Sequence, residues 1–202
     1  MSIQLDKKSN SKKLVDLLFE VGLLSKIKRS GLSFLGTGNQ SISEHTFRAI
    51  VIGYLLVKES GEQINLLKVM AMLLFHDLPE TRIGDLNWEN KKFLSINYIK
   101  LMEDLKNDYP FAEDILECIN EFDQGQSFES IIARDADQLE FLITLKEEYD
   151  IGNLRAKNWI SPIAKRLKTD IAKRICNLIL ESNIDNWWFS DKENTYWVDG
   201  NE

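Results

Sequence analysis

Apolar residues in this chain recur at intervals of three and four. Leu14, Leu17, Leu18, Val21 and Leu24 share one face of a helical wheel, which predicts a first helix ending near Arg29-Ser30-Gly31. A polar loop follows over residues 36–40. Ser41-Ile42-Ser43-Glu44 then reads as a helix start, with Ser41 as N-cap and Glu44 three positions on. Phe47, Ile50, Val51, Tyr54 and Leu55 form the predicted inner stripe of that second helix. Gly61 separates it from residues 65–76, apolar almost all round and so expected to be a central buried helix. Pro79 predicts that this helix ends near Asp77 and that a short turn or helix follows over 79–83. Further helices are expected at about 91–107, 111–121, 127–149 and 161–182, with Pro110 and Pro162 near two of the starts. No sustained apolar/polar alternation marks a strand. The pattern is that of an all-α fold, a single domain over residues 1–202 without repeat or linker. It closes with a C-terminal helix and an aromatic tail over 161–202. Trp187, Trp188, Phe189, Tyr196 and Trp197 in that tail are expected to cover exposed core in preference to forming a dimer contact.

Composition narrows the picture. The 202 residues, 44% hydrophobic and 28% charged, are enough for one sizeable core and argue against disorder. The formal net charge of -7 gives no general attraction to nucleic acid or to an anionic membrane, so any phosphate must be held by local groups. The longest apolar run, from Val69 to Phe75, is too short to span a bilayer, and the polar start lacks a signal-peptide core. Cys118 and Cys176 stand alone, which excludes a disulfide scaffold and a cysteine zinc site and points to a reducing cytoplasm.

The two histidines, His45 and His76, fall near the start of one predicted helix and the end of the next. Sequential helices joined by a short turn run antiparallel, so these ends can meet. A lone histidine on an apolar helix is usually a hydrogen-bonded core residue. Here Asp77 follows His76 at the end of the most hydrophobic helix, and no Lys or Arg lies between Lys68 and Arg82 to neutralise it. A buried carboxylate needs a cation. Imidazole and carboxylate together suit a divalent Zn, Mn, Fe, Co or Ni ion. A fourth ligand is available in Asp137 or Asp135. These lie about 200° apart on a helix, so only one can face inward, and spacing alone does not choose.

At this point the pattern resembles a known family. His45, His76-Asp77 and a distant Asp137 match the H…HD…D signature of the HD superfamily of metal-dependent phosphohydrolases. Ser43-Glu44-His45, then His76-Asp77-Leu78-Pro79-Glu80 through Gly84-Asp85, and Asp137-Gln138-Leu139-Glu140 are similar to the branch containing bacterial 5′-deoxynucleotidases. The motifs span about residues 25–150. The resemblance implies a helical HD domain, with His45, His76, Asp77 and Asp137 as ligands of one divalent transition metal per chain. Dinuclear relatives need further histidines, which this chain lacks. It implies hydrolysis of (deoxy)nucleoside 5′-monophosphates, a small nucleotide substrate, no nucleic-acid or membrane partner, and a homodimer as an allowed assembly. Glu80 takes the proton-handling role, against a bland alternative as a first-turn helix Glu. Asp85 is assigned to substrate recognition with a catalytic share, its bland alternative being an N-cap. Arg29 is the phosphate holder. Leu32 stands where the family commonly has Trp, with Phe34 nearby, so Trp88 is the candidate flat wall; Arg82 and Lys91 are further candidate cations. The competing readings are hydrolysis of a triphosphate or alarmone and a non-catalytic nucleotide-sensing module. Thr81 after Glu80, and the absence of a further histidine, favour a monophosphate.

Overall fold

The computed structural model describes residues 2–190, with side chains from residue 10. The expected tail aromatics Tyr196 and Trp197 lie outside the described residues. The fold is all-α. Its helices are α1 (Ser2–Leu23), α2 (Ile42–Ser60), α3 (Leu66–Phe75), α4 (Glu80–Ile83), α5 (Tyr98–Asp108), α6 (Ala112–Gln124), α7 (Phe128–Asp150), α8 (Lys157–Ala164) and α9 (Asp170–Glu181). Two short 3-10 turns occupy Ser30–Phe34 and Asn90–Lys92.

Helix starts follow local chemistry. The Ser41 hydroxyl accepts from the Glu44 backbone N–H while the Glu44 carboxylate accepts from Ser41 N, a reciprocal capping box that opens α2. Asn65, Asn97, Ser127 and Thr169 cap α3, α5, α7 and α9 in the same way with their side-chain oxygens. Two predicted helices divide for this reason. Asn97 restarts the chain, so the segment expected from residue 91 is a 3-10 turn followed by α5. Thr169 does likewise, splitting the expected 161–182 helix into α8 and α9, with Pro162 inside α8.

The core is built on α2 and α7, with α3 packed against both, α8 against α7, and α9 against both α7 and α2. Leu56, Met72, Leu73, Leu139, Leu142 and Leu145 are fully buried there. A second apolar cluster joins Leu24, Ile42, Leu78, Leu105, Tyr109 and Ile119 beneath α5 and α6. Of the predicted stripe on α2, only Ile50 packs against the core. Phe47 is 72% exposed, and Val51, Tyr54 and Leu55 also face out. The inner face instead carries His45, Ala49, Ile52, Gly53 and Leu56. Small residues let the helices approach closely. A Cβ on Gly53 would lie 2.4 Å from Leu73 Cδ1 in the packed core. Leu17 of α1 and Leu24 just past its end turn inward, but Leu14, Leu18 and Val21 are exposed. In α3, Val69, Met72 and Leu73 are buried while Leu67 and Leu74 face out, so the helix is central without being enclosed. Trp187 is 85% exposed and Trp188 is also exposed, so these two residues do not cap the core as expected. Both cysteines are free thiols.

Candidate metal centre

Antiparallel packing of α2 and α3 brings the first turn of one beside the last turn of the other. His45, in the first turn of α2, therefore meets His76, the C-cap of α3, with ring centroids 5.6 Å apart. Asp137 reaches the same point from the middle of α7. Ligand atoms of His45, His76 and Asp137 all lie within 4.8 Å of one another. His45 Nε2 is 3.1 Å from Asp137 Oδ1 and 3.6 Å from Asp77 Oδ2. His76 Nε2 is 3.2 Å from Asp77 Oδ2 and 3.9 Å from Asp137 Oδ1. Donors bound at about 2.1 Å around one ion stand roughly 3.0–3.4 Å apart in octahedral to tetrahedral arrangements; the 3.1 and 3.2 Å spacings fall in that range and the 3.6 and 3.9 Å spacings exceed it by half an ångström or less. His45 Nε2, His76 Nε2 and Asp77 Oδ2 are buried without a hydrogen-bond partner in the protein. Three inward-facing polar atoms left unsatisfied in this way fit a cation ligated at their centre.

The electrostatics agree. Burial disfavours the charged form of His76, yet the charges of Asp77 and Asp137 outweigh it and lift its pKa to about 9. Burial and Arg29 oppose charge on His45 as well, but the neighbouring carboxylates of Asp137 and Glu140 raise its pKa. Burial works against ionisation of Asp77 and Asp137, and the two histidines with Arg29 hold both below the usual carboxylate range. The protein's own groups thus create a point that favours positive charge.

The rival carboxylate on α7 has a different task. Asp135 accepts from the backbone N–H groups of Lys168 and Thr169, each at 2.8 Å, and from the Thr169 hydroxyl at 2.6 Å. It ties α7 to the start of α9 on the side of the helix away from the histidines.

Around the cluster, Arg29 Nη1 is 3.6 Å from Asp77 Oδ2, and its guanidinium lies over the Phe141 ring. Asp85 Oδ2 accepts from Ser30 N at 2.6 Å, which fixes the segment that carries Arg29. Gly84 precedes Asp85 with φ 73°, a backbone setting that favours glycine. Glu80, at the start of α4, has a buried Oε2 without a partner. Burial, with the charges of Asp77 and Asp85, raises its pKa to about 9 against the opposing influence of Arg29 and His76. A cleft of about 560 Å3 opens beside these groups, lined among others by Arg29, Asp85, Trp88, Gln138, Phe141 and Trp159. Gln138 donates to Asp137 Oδ2 at 2.7 Å, so the cleft and the cluster share Arg29 and the Asp137-Gln138 pair. A larger and more open groove of about 1070 Å3 along α5 and α6 contains none of these residues.

Trp88 lines the cleft, is 66% exposed and has the Lys92 ammonium 3.5 Å from its ring centroid. Lys91, Leu32 and Phe34 line the cleft too. Arg82 is engaged elsewhere, by Glu20, Asp108 and Tyr109, and is not part of the cleft lining. Sequence reasoning missed Trp159 and Phe141 as cleft walls and left Glu140 without a task. Their signal was weak: Phe141 belongs to the apolar face around Asp137, and Trp159 falls between two predicted helices. Glu140 stands three positions beyond Asp137, on the same helical face.

The sequence profile of the HD domain family matches residues 21–179. Over 139 residues, covering 62% of this chain and 72% of the relative, the chain is 26% identical to 5′-deoxynucleotidase HDDC2 from Dictyostelium discoideum. Its structure is similar to that of a conserved hypothetical protein from Pyrococcus furiosus, with a TM-score of 0.69, 24% identity and coverage of 83% of this chain and 97% of the other. It is also similar to a predicted metal-dependent phosphohydrolase from Magnetospirillum magnetotacticum, with a TM-score of 0.67, 17% identity and coverage of 86% and 94%. With helices, histidine–aspartate cluster and profile in agreement, the chain belongs to the HD domain family.

Proposed function

We propose that this protein is a metal-dependent phosphomonoesterase that hydrolyses (deoxy)nucleoside 5′-monophosphates to nucleoside and phosphate. The observation that carries the reading is the convergence of His45, His76, Asp77 and Asp137 beside a cleft whose deep cation is Arg29. These four side chains would hold one divalent transition metal. When bound, such an ion supplies positive charge and an acidified water. The remaining work falls to the chain's own groups. Arg29, held under Phe141 and beside Asp77, presents a guanidinium that can grip two phosphate oxygens. Glu80 offers a buried, unpartnered carboxyl from which a proton can pass to the leaving 5′-alkoxide. Asp85, pinned by Ser30, orients the sugar and holds the Arg29 segment in place. Trp88 and Trp159 supply flat walls for the nucleoside. The 5′-deoxynucleotidase relative supports the substrate class.

The test is a panel of nucleoside monophosphates, triphosphates and alarmones, supplied with Co, Mn or Zn, with released phosphate as readout. Phosphate release from 5′-monophosphates is expected to dominate. Preferential turnover of a triphosphate or alarmone would overturn the substrate assignment, and release from none of them would favour a nucleotide-sensing module.

A further inference from the structure

Glu140 is fully buried on α7, one helical turn past Asp137. A carboxylate in that position demands several donors. It has them. His45 Nδ1 lies within hydrogen-bond distance of Glu140 Oε2. Arg48 Nε donates to Oε1 at 2.8 Å and Gln40 Nε2 donates to Oε1 at 2.6 Å. Arg48 is itself fixed by Glu147 at 2.6 Å and by Thr144 at 2.6 Å. The Gln40 backbone carbonyl accepts from Arg29 N–H at 2.9 Å, so the same network reaches the segment that bears the phosphate-binding cation. Nothing in this arrangement contacts the cleft lining through Glu140 itself.

An imidazole carries one proton when neutral, and the nitrogen that bears it is set by its partners. A carboxylate can only accept. Facing Nδ1, Glu140 places the proton there and leaves the Nε2 lone pair directed at Asp77 and Asp137. His76 reaches the same tautomer by another route, with Nδ1 2.9 Å from the Leu73 carbonyl oxygen. We infer that Glu140 is a positioning residue: through His45 Nδ1–H it fixes the tautomer and ring orientation that make His45 Nε2 a metal ligand. This inference rests on the metal reading above.

The effect of Glu140→Gln follows from counting donors. The amide has one acceptor oxygen and an NH2 group, and it faces donors from four residues, His45 Nδ1–H, the Arg48 guanidinium, Gln40 Nε2 and the Thr144 hydroxyl. Either a donor meets the NH2 group or the His45 proton moves to Nε2, where it blocks ligation.

The experiment uses the full-length protein loaded with zinc. The chain has only two histidines, so long-range 1H–15N spectra contain two imidazole systems. Wild type is expected to show both rings protonated at Nδ1, the His45 proton shifted downfield by the carboxylate. Zinc affinity, read by competition with a chelator, should fall 10- to 100-fold in Glu140→Gln, the range for losing such an outer partner of a ligating histidine. Metal-free melting temperatures report whether the variant folds, and the wild-type spectrum tests the tautomer without any variant. A wild-type His45 protonated at Nε2 overturns the inference, as does a folded Glu140→Gln protein whose zinc affinity stays within about threefold of wild type. A wild type that takes up no zinc overturns the metal reading and this inference with it, so the two failures are distinguishable.

Discussion

At the scale of single residues, the histidine–aspartate cluster is a case of polar groups buried where the protein alone does not satisfy them. His45 Nε2, His76 Nε2 and Asp77 Oδ2 share that condition. Glu80 Oε2 shares it as well, but Glu80 stands at the start of α4 and is not one of the converging four. On the proposed reading, that difference separates ligation from proton transfer. Glu80→Gln is expected to keep metal content and substrate binding and to lower turnover by about 10²–10⁴, the range for a positioned proton carrier. Metal analysis, a binding isotherm and phosphate release on the same preparation check it, and full activity would remove Glu80 from the mechanism. The residues of this site were largely legible in the sequence, because charged groups inside an apolar block stand out. Trp159 and Phe141 were not: Phe141 looks the same on a helix whether it meets core or cleft, and Trp159 lies in α8, ahead of the predicted helix start at 161.

At the scale of elements, the starts of helices were the most readable features. Ser41 with Glu44 forms the expected capping box, and Pro79 opens α4 as expected. The faces of helices were less readable. On α2 the large apolar residues Phe47, Val51 and Leu55 point outward, while Ala49 and Gly53 make the contact with α3. A pattern that weights size picks the wrong face when close approach is what the packing requires. The split between α8 and α9 was hidden for another reason. The Thr169 cap is local, but it is held in place by a tertiary contact, a carboxylate 33 residues away that accepts from Lys168 N. Asp135→Ala should therefore cost on the order of 2–3 kcal/mol by stranding backbone donors at the start of α9, while metal content stays near wild type. Asp137→Ala should do the reverse, abolishing metal uptake with a smaller effect on the metal-free melting temperature. Calorimetry and elemental analysis of the two variants check the contrast, and loss of metal from Asp135→Ala would contradict the assignment.

At the scale of the whole molecule, the all-α architecture followed from helical periodicity, but the arrangement of helices around α2 and α7 did not, because periodicity carries no information on which faces meet. A polar clasp and the packing of Leu17 help to attach the N-terminal helix. Glu20 accepts from Arg82 Nε at 2.8 Å, Thr81 Oγ1 at 2.8 Å and Tyr109 Oη at 2.9 Å, joining α1, α4 and the α5–α6 junction. Burial opposes charge on Glu20, yet these donors and the Arg82 charge hold its pKa below the usual carboxylate value. A depressed folded pKa means that the unfolded chain takes up the proton first. The clasp's contribution is therefore complete above about pH 4.5 and fades as pH falls through the lower folded value. Glu20→Gln is expected to lose about 1 kcal/mol at pH 7 after screening, or roughly 2–4 °C in melting temperature. The gap to wild type should narrow below pH 4.5, and a gap that widens there would contradict the clasp. Among the described residues no helix is long and apolar enough to cross a membrane.

Asp135 and Asp137 grip different parts of the molecule from opposite sides of one helix. The rotational setting of α7 is consequently locked from both directions, like a shaft keyed at two points. One residue inserted between them would turn everything beyond by about 100°. Such a change would detach the α9 anchor or the His45 partner, so this two-residue spacing should tolerate no change of length.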